Sequence, residues 1–169
     1  MKTISLTKGH VALVSDEDFF LLSQFKWCAI DHKNHSLIYA GRSGRKELNE
    51  PRTVLMHRQI LGMDRADKRK VDHADGNGLN CQRDNIRACT HPQNLRNRTV
   101  TRTNPSGYKG VFCRGDKFRV GIRNTEGKLI SLGTYPNAKA AARVYDAAAL
   151  ALHGEFAKLN FPIGASLSQ

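Results

Sequence analysis

Residues Val71 to Arg98 read VDHADGNGLNCQRDNIRACTHPQNLRNR, and this stretch organises the reading of the whole chain. Val71 to Asp75 has the pattern of a strand end entering a loop, where Gly76 and Gly78 supply turn geometry. Asn85 to Cys89 predicts a short second strand. Thr90 then opens a helix: Pro92 is tolerated in a first turn, and Gln93 stands three residues after Thr90 in a capping-box pattern. On that helix Asn94 and Asn97 share one face. Strand, loop, strand and helix thus gather a carboxylate (Asp72), an imidazole (His73) and two amides (Asn85 and Asn94) in one short segment.

These residue types suit one chemistry. A neutral imidazole near its ordinary pKa takes a proton from water at pH 7, so His73 is the predicted general base. Asp72 and Asn94 offer hard oxygens, and such donors with a phosphate oxygen make a partial shell for Mg²⁺ or Mn²⁺. An ion held there stabilises a leaving 3′-oxygen while the base activates water. Asn85 is placed to hydrogen-bond near His73 and fix its ring. Taken singly, an Asp-His pair is usually a surface turn and either amide an ordinary polar residue. The weight comes from their combination with a glycine-bearing loop, a capped helix and a basic chain. His57 reads as structural or as a phosphate contact rather than a ligand. His91 reads as a solvated residue at a helix start.

The chain has 169 residues, enough for one ordinary domain or two small ones. Its net charge of +12 points to a polyanionic partner, with nucleic acid ahead of a membrane surface. No apolar run approaches the ~20 residues that span a bilayer, and MKTISLTKGH lacks the apolar core of a secretion signal. Cys28, Cys81, Cys89 and Cys113 are scattered without a C-x-x-C pair. That argues against a disulfide framework or a structural zinc site, and for reduced thiols in a cytoplasmic setting.

Before Val71 the pattern is one of short strands. Ile4 to Val14 alternates loosely and is broken at Lys8-Gly9. Ser15 is placed as the N-cap of a helix with acidic residues in its first turn. That helix would turn Phe19 and Leu22 inward before Trp27 opens a strand. Leu37 to Ala40 and Thr53 to Met56 predict two more strands, and His57 to Leu61 a short helix ending at Gly62. After the helix that carries Asn94, residues 99–105 read as a basic linker.

A fresh pattern follows. Tyr108 to Cys113, Lys117 to Arg123 and Leu129 to Thr134 predict three strands. Asn137 caps a long alanine-rich helix that ends at Gly154. Strand alternation puts Lys117, Arg119, Gly121 and Arg123 on one face, and Phe118, Val120 and Ile122 on the other, against the helix. A basic three-stranded sheet can lie in the major groove, where arginine pairs with guanine. A solvated charged face is the plainer alternative.

The segment VDH…DNIR…QNLRNR resembles the HNH nuclease motif, the ββα-metal fold of phage and intron-type homing endonucleases. The leading region, with KGHVALVSDEDF, FKW, YA and LMHRQILG, is similar to the start of such enzymes. The resemblance implies His73 as general base, Asn85 as its orienter, and Asp72 and Asn94 as ligands of Mg²⁺ or Mn²⁺. The third motif position is Asn94 rather than histidine, a variant common among the phage-type enzymes.

The later region, with SGYKGV, KFRVGIR, SLGTY, AARVYDAAAL and LNFP, resembles the Apetala2/ethylene-response-factor (ERF) DNA-binding domain. It departs from the plant pattern at Ser131, where tryptophan is usual, and at Gly121, where glutamate is usual. The resemblance implies Lys109, Gly110, Arg114, Arg119, Arg123 and Lys128 as DNA contacts. Lys117 joins them from the strand pattern, and Arg96, Arg98 and Arg102 from the basic stretch before it.

The expected architecture is therefore α+β. An HNH nuclease domain with a β-rich start covers 1–98, a linker 99–105, a three-stranded antiparallel sheet packed on one helix 106–162, and a tail 163–169. The expected function is a site-specific DNA endonuclease or nickase of homing type, leaving 5′-phosphate and 3′-hydroxyl ends. It would act as a monomer on double-stranded DNA, in the cytoplasm of a bacterium or a phage-infected host cell. The rivals are a non-catalytic sequence-specific DNA-binding regulator and an RNA-binding splicing factor.

Overall fold

The structure is a computed structural model, and it describes residues 1–31, 37–100 and 103–162. Arg102, one of the predicted DNA contacts, and the tail 163–169 lie outside the described residues, as does part of the linker. The chain is a mixed α+β protein built from small antiparallel sheets. It divides into two compact units, Met1–His91 and the region from Pro92 onward. The break falls at the start of the helix that carries Asn94, ahead of the basic stretch read as a linker.

In the first unit β1 (Lys2–Ser5) and β2 (Val11–Val14) form a hairpin with Ile4 opposite Ala12. The interruption at Lys8-Gly9 is a turn in which both residues have positive φ, 59° and 72°. Helix α1 (Asp16–Ser23) follows, with three acidic residues in its first turn, where the helix dipole favours negative charge. Ser15 occupies the N-cap position, but its hydroxyl makes no capping bond. It accepts the backbone N–H of Arg83 at 3.0 Å instead, and the Arg83 fork grips Asp18 at 2.9 and 2.7 Å. A side chain read as a local cap is thus a long-range tie.

Three strands, β3 (Cys28–Asp31), β4 (Ile38–Ser43) and β5 (Thr53–Leu55), form an antiparallel sheet in that order. Met56 was expected to end a strand and instead opens helix α2 (Met56–Ile60). The core gathers Val14, Leu22, Trp27, Ala40, Met56, Cys81 and Ile86. Trp27 buries its ring and satisfies its indole N–H on the Leu22 carbonyl at 2.8 Å, as a buried donor must. Arg42 is also buried: its fork pairs with both oxygens of Glu50 at 2.8 and 2.6 Å, and its guanidinium covers the Phe25 ring at 4.2 Å. Strands β6 (Lys70–His73) and β7 (Ile86–Cys89) then pair with Asp72 opposite Arg87 and His73 opposite Ile86.

Helix α3 (His91–Arg96) lies in the second unit from Pro92 on, which continues through β8 (Val111–Arg114), β9 (Lys117–Arg123) and β10 (Leu129–Tyr135). The sheet is antiparallel with β9 in the centre. Helix α4 (Ala138–His153) covers one face, and the Asn137 side chain caps it by accepting from the N–H groups of Lys139 and Ala140. Ala141, Ala142 and Ala149 are fully buried against Val111, Val120 and Ile122. Alanine at these positions favours helix and allows close approach to the strands. The first strand starts at Val111 rather than Tyr108, because Gly110 takes φ +72° under the Tyr145 ring; a Cβ there would lie 1.9 Å from Tyr145 Cδ2. Buried Asp146 accepts the backbone N–H of Asn160 and of Phe161, both at 2.8 Å, which folds the closing LNFP segment back onto the helix.

Candidate active site and nucleic-acid interface

Asp72 and His73 are neighbours on β6, and both are buried, at 3% and 6% exposure. Across the hairpin, Nε and Nη2 of Arg87 donate to Oδ2 of Asp72 at 2.9 and 2.7 Å. This charge-assisted pair sets the carboxylate's orientation. The His73 ring lies in an aromatic nest. Its centroid is 5.0 Å from that of His57, with the planes at 83°, and 5.7 Å from that of Tyr39. Burial lowers the His73 pKa, while the negative charges of Asp75 and Asp72 pull the other way. Burial, with smaller contributions from His73 and Arg58, pushes His57 down to about 3. Burial thus works against the charged form of both rings.

The loop after His73 is held by Asn85, which lies just ahead of β7. The Ala74 N–H donates to the Asn85 carbonyl at 2.9 Å, and the Gly76 N–H to the His73 carbonyl at 2.9 Å. The Asn85 side chain accepts the Asp75 N–H at 3.1 Å and donates to Asp75 Oδ1 at 3.0 Å and to the Asn80 carbonyl at 2.8 Å. The amide predicted to orient the imidazole thus grips the turn two residues beyond it. Asp75 went unnoticed in the sequence. Burial raises its pKa, but hydrogen bonds from Asn77, Asn80 and Asn85 outweigh that and lower it.

A second grouping was also missed. His57, His73 and Cys81 each offer a ligand atom, and these atoms all lie within 4.8 Å of one another. Cys81 reaches this place because its N–H donates to the Leu13 carbonyl at 2.8 Å and the Leu13 N–H to the Leu79 carbonyl at 2.9 Å. Those bonds stitch the loop to β2. Burial, aided by Asp75, pushes the Cys81 thiol up to about 12. No sequence spacing joins these three residues, since α2, β6 and the loop meet only in the folded unit.

Asn94 lies on α3 and is half-buried. It belongs to the second unit, whereas Asp72 belongs to the first.

In the second unit, Lys117, Arg119 and Arg123 project from the sheet face opposite α4, and all three are exposed. Arg114 pairs in register with Lys117, Phe112 with Arg119, and Leu129 with Arg123, so exposed apolar side chains sit beside the arginines. Arg123 Nη1 donates to the Gly127 carbonyl at 2.8 Å. Lys128 and Arg98 are exposed, and Arg96 is half-buried. Lys109 is placed differently: its ammonium donates to the carbonyls of Arg96 and Arg98 at the end of α3. Burial, with the nearby charge of Lys158, brings its pKa down to about 8. Gly110 lies under the Tyr145 ring, which leaves no room for a side chain.

No family model matches the sequence. The chain is 30% identical over 157 residues to an uncharacterized HNH endonuclease of Acanthamoeba polyphaga mimivirus, a match covering 90% of this chain and 76% of the viral protein. The chain belongs to the HNH endonuclease family. It is also 50% identical over 56 residues to an ethylene-responsive transcription factor of Arabidopsis thaliana. A dehydration-responsive element-binding protein of the same plant matches at 50% over 56 residues. Each of these matches covers 32% of this chain, and the chain spans only 29% and 27% of the two plant proteins. The protein therefore joins an HNH endonuclease framework to a region related to Apetala2/ERF domains. No helix among the described residues is long and apolar enough to cross a membrane.

Proposed function

We propose that the protein is a site-specific DNA endonuclease or nickase of homing type, acting as a monomer on double-stranded DNA. The observation that carries this reading is the burial of Asp72 and His73 at the end of β6, ahead of a loop locked by Asn85 and Asp75. A neutral His73 accepts a proton from water as the water oxygen attacks phosphorus. The 3′-oxygen then leaves and takes a proton from solvent, giving 5′-phosphate and 3′-hydroxyl ends. Asp72 would hold Mg²⁺ or Mn²⁺, which when bound supplies positive charge at the phosphate and the departing oxygen. Arg87 sets the orientation of Asp72, and the Asn85–Asp75 grip fixes the chain that follows the base. In the second unit, Arg119 and Arg123 on the open sheet face read or hold the duplex, with Arg114, Lys117 and Lys128 beside them. The net charge of +12 and the family membership support the same polyanionic substrate.

The test is cleavage by the purified full chain with Mg²⁺ or Mn²⁺ on the DNA that flanks its own gene, with end-labelled mapping of the products. Discrete 5′-phosphate ends at one site are expected. Specific binding with no cut under any divalent ion would leave a DNA-binding regulator, the reading that the plant relatives' names favour.

A further inference from the structure

We propose that His57, His73 and Cys81 form a soft-metal site in the first unit, suited to Zn²⁺, and that its occupation withdraws the His73 imidazole from acid–base use. The ligand set stands on geometry alone; the inhibitory consequence rests on the nuclease reading above.

Three observations converge. The ligand atoms of the three residues lie within 4.8 Å of one another. In a tetrahedral zinc site, Zn–N near 2.05 Å and Zn–S near 2.3 Å put ligand atoms roughly 3.3–3.6 Å apart, so a shift of about 1 Å closes the set. Second, His57 is only 5% exposed, and its Nδ1 has no hydrogen-bond partner among the described residues. A buried polar nitrogen without a partner is costly, and a metal bond removes that cost. Third, the donors are of matched kind: two nitrogens and a sulfur favour Zn²⁺ over Mg²⁺ or Mn²⁺, which prefer oxygen. The set thus differs in kind from the carboxylate oxygens of Asp72.

On binding, two N–Zn bonds and one S–Zn bond form, the Cys81 thiol releases its proton to solvent, and the ion sheds waters while keeping one in its fourth position. Nothing is oxidised or reduced. The lone pair of His73 that would accept the proton of the attacking water is then committed to the metal.

The experiment uses the full chain, reduced, with Co²⁺ as a spectroscopic probe and Zn²⁺ as competitor. Wild-type protein should show a thiolate-to-Co²⁺ charge-transfer band that one equivalent of Zn²⁺ bleaches. Cys81→Ser should lose that band, and His57→Gln should weaken Zn²⁺ binding by at least about tenfold, the scale on which even supporting residues tune metal sites. In the activity arm, Zn²⁺ should stop Mg²⁺-supported cleavage by wild type, while Cys81→Ala cleaves as well as wild type and needs at least about tenfold more Zn²⁺ for inhibition. No charge-transfer band in wild type, or the same band in Cys81→Ser, overturns the site. Should Cys81→Ala fail to fold, His57→Gln carries the activity arm, with the same required change in Zn²⁺ sensitivity. A band in a protein that cuts no DNA supports the site and removes the nuclease reading; cleavage without a band does the reverse.

Discussion

The Asn85 side chain is bonded to Asp75 from both ends, accepting its backbone N–H at 3.1 Å and donating to its carboxylate at 3.0 Å. This two-way grip closes the loop that follows the candidate base, and it gives Asn85 a reason to be an amide. Aspartate has an acceptor but no donor, and would face the Asp75 carboxylate with like charge. Asn85→Ala should lower stability by about 1–3 kcal/mol, the cost of leaving buried partners unsatisfied. Asn85→Asp should lower it at least as much at pH 7 and recover part of the loss in acid. Urea unfolding at two pH values distinguishes the variants.

His73→Ala should remove cleavage while DNA binding stays close to wild type. A positioned general base contributes roughly 10²–10⁴-fold, so the cleavage rate should fall on that scale or more. Single-turnover cleavage beside an electrophoretic binding assay measures the two separately. Cleavage within a few-fold of wild type would take the base role away from His73.

Glu50 predicts an acid dependence. Hydrogen bonds from Arg42, then from the Arg45 backbone, hold its pKa near 2, below the ordinary 4.5. A carboxyl depressed in the folded state adds stability that is fully present above pH 4.5 and is lost as pH falls from 4.5 toward 2. Wild type should therefore lose more stability than Glu50→Gln between pH 6 and pH 3. Parallel denaturation curves for the two proteins across that range would contradict it.

Gly110→Ala should disrupt the second unit. The position combines φ +72° with a Cβ site 1.9 Å from the Tyr145 ring. Backbone strain and overpacking each cost about 1–3 kcal/mol, so a loss on the order of 3 kcal/mol or more is expected. Thermal unfolding of the full chain should show it, with loss of DNA binding in parallel.

Arg119 and Arg123 should separate by role. Arg119 stands between Phe112 and Thr134 in cross-strand register, in mid-sheet. Arg119→Ala should cost about 1–3 kcal/mol of target binding and relax preference at one base position. Arg123 is tied to the Gly127 carbonyl near the hairpin turn. Arg123→Ala should reduce the salt slope of binding by about 0.9 with sequence preference unchanged. Titrations at several salt concentrations on matched and mutated sites decide both.

The sequence by itself determined the α+β class, the strand–loop–strand of Val71 to Cys89, the capped helix after Asn137 and the basic face of β9. These follow from local signals: alternation, glycine turns, a capping asparagine and charge at every second residue. It also placed Asp72 and His73 at the end of one strand, because they are consecutive. Only the tertiary structure decided what surrounds them. His57 and Cys81 join His73 through α2 and through the stitching of the loop to β2, contacts between segments distant in sequence. Ser15 reads as a helix cap and serves Arg83, while only the fold shows that Asn85 grips Asp75 and that Lys109 ties down the chain after α3. In each case residue type announces hydrogen-bonding capacity, while the partner is set by which backbone groups the fold leaves within reach.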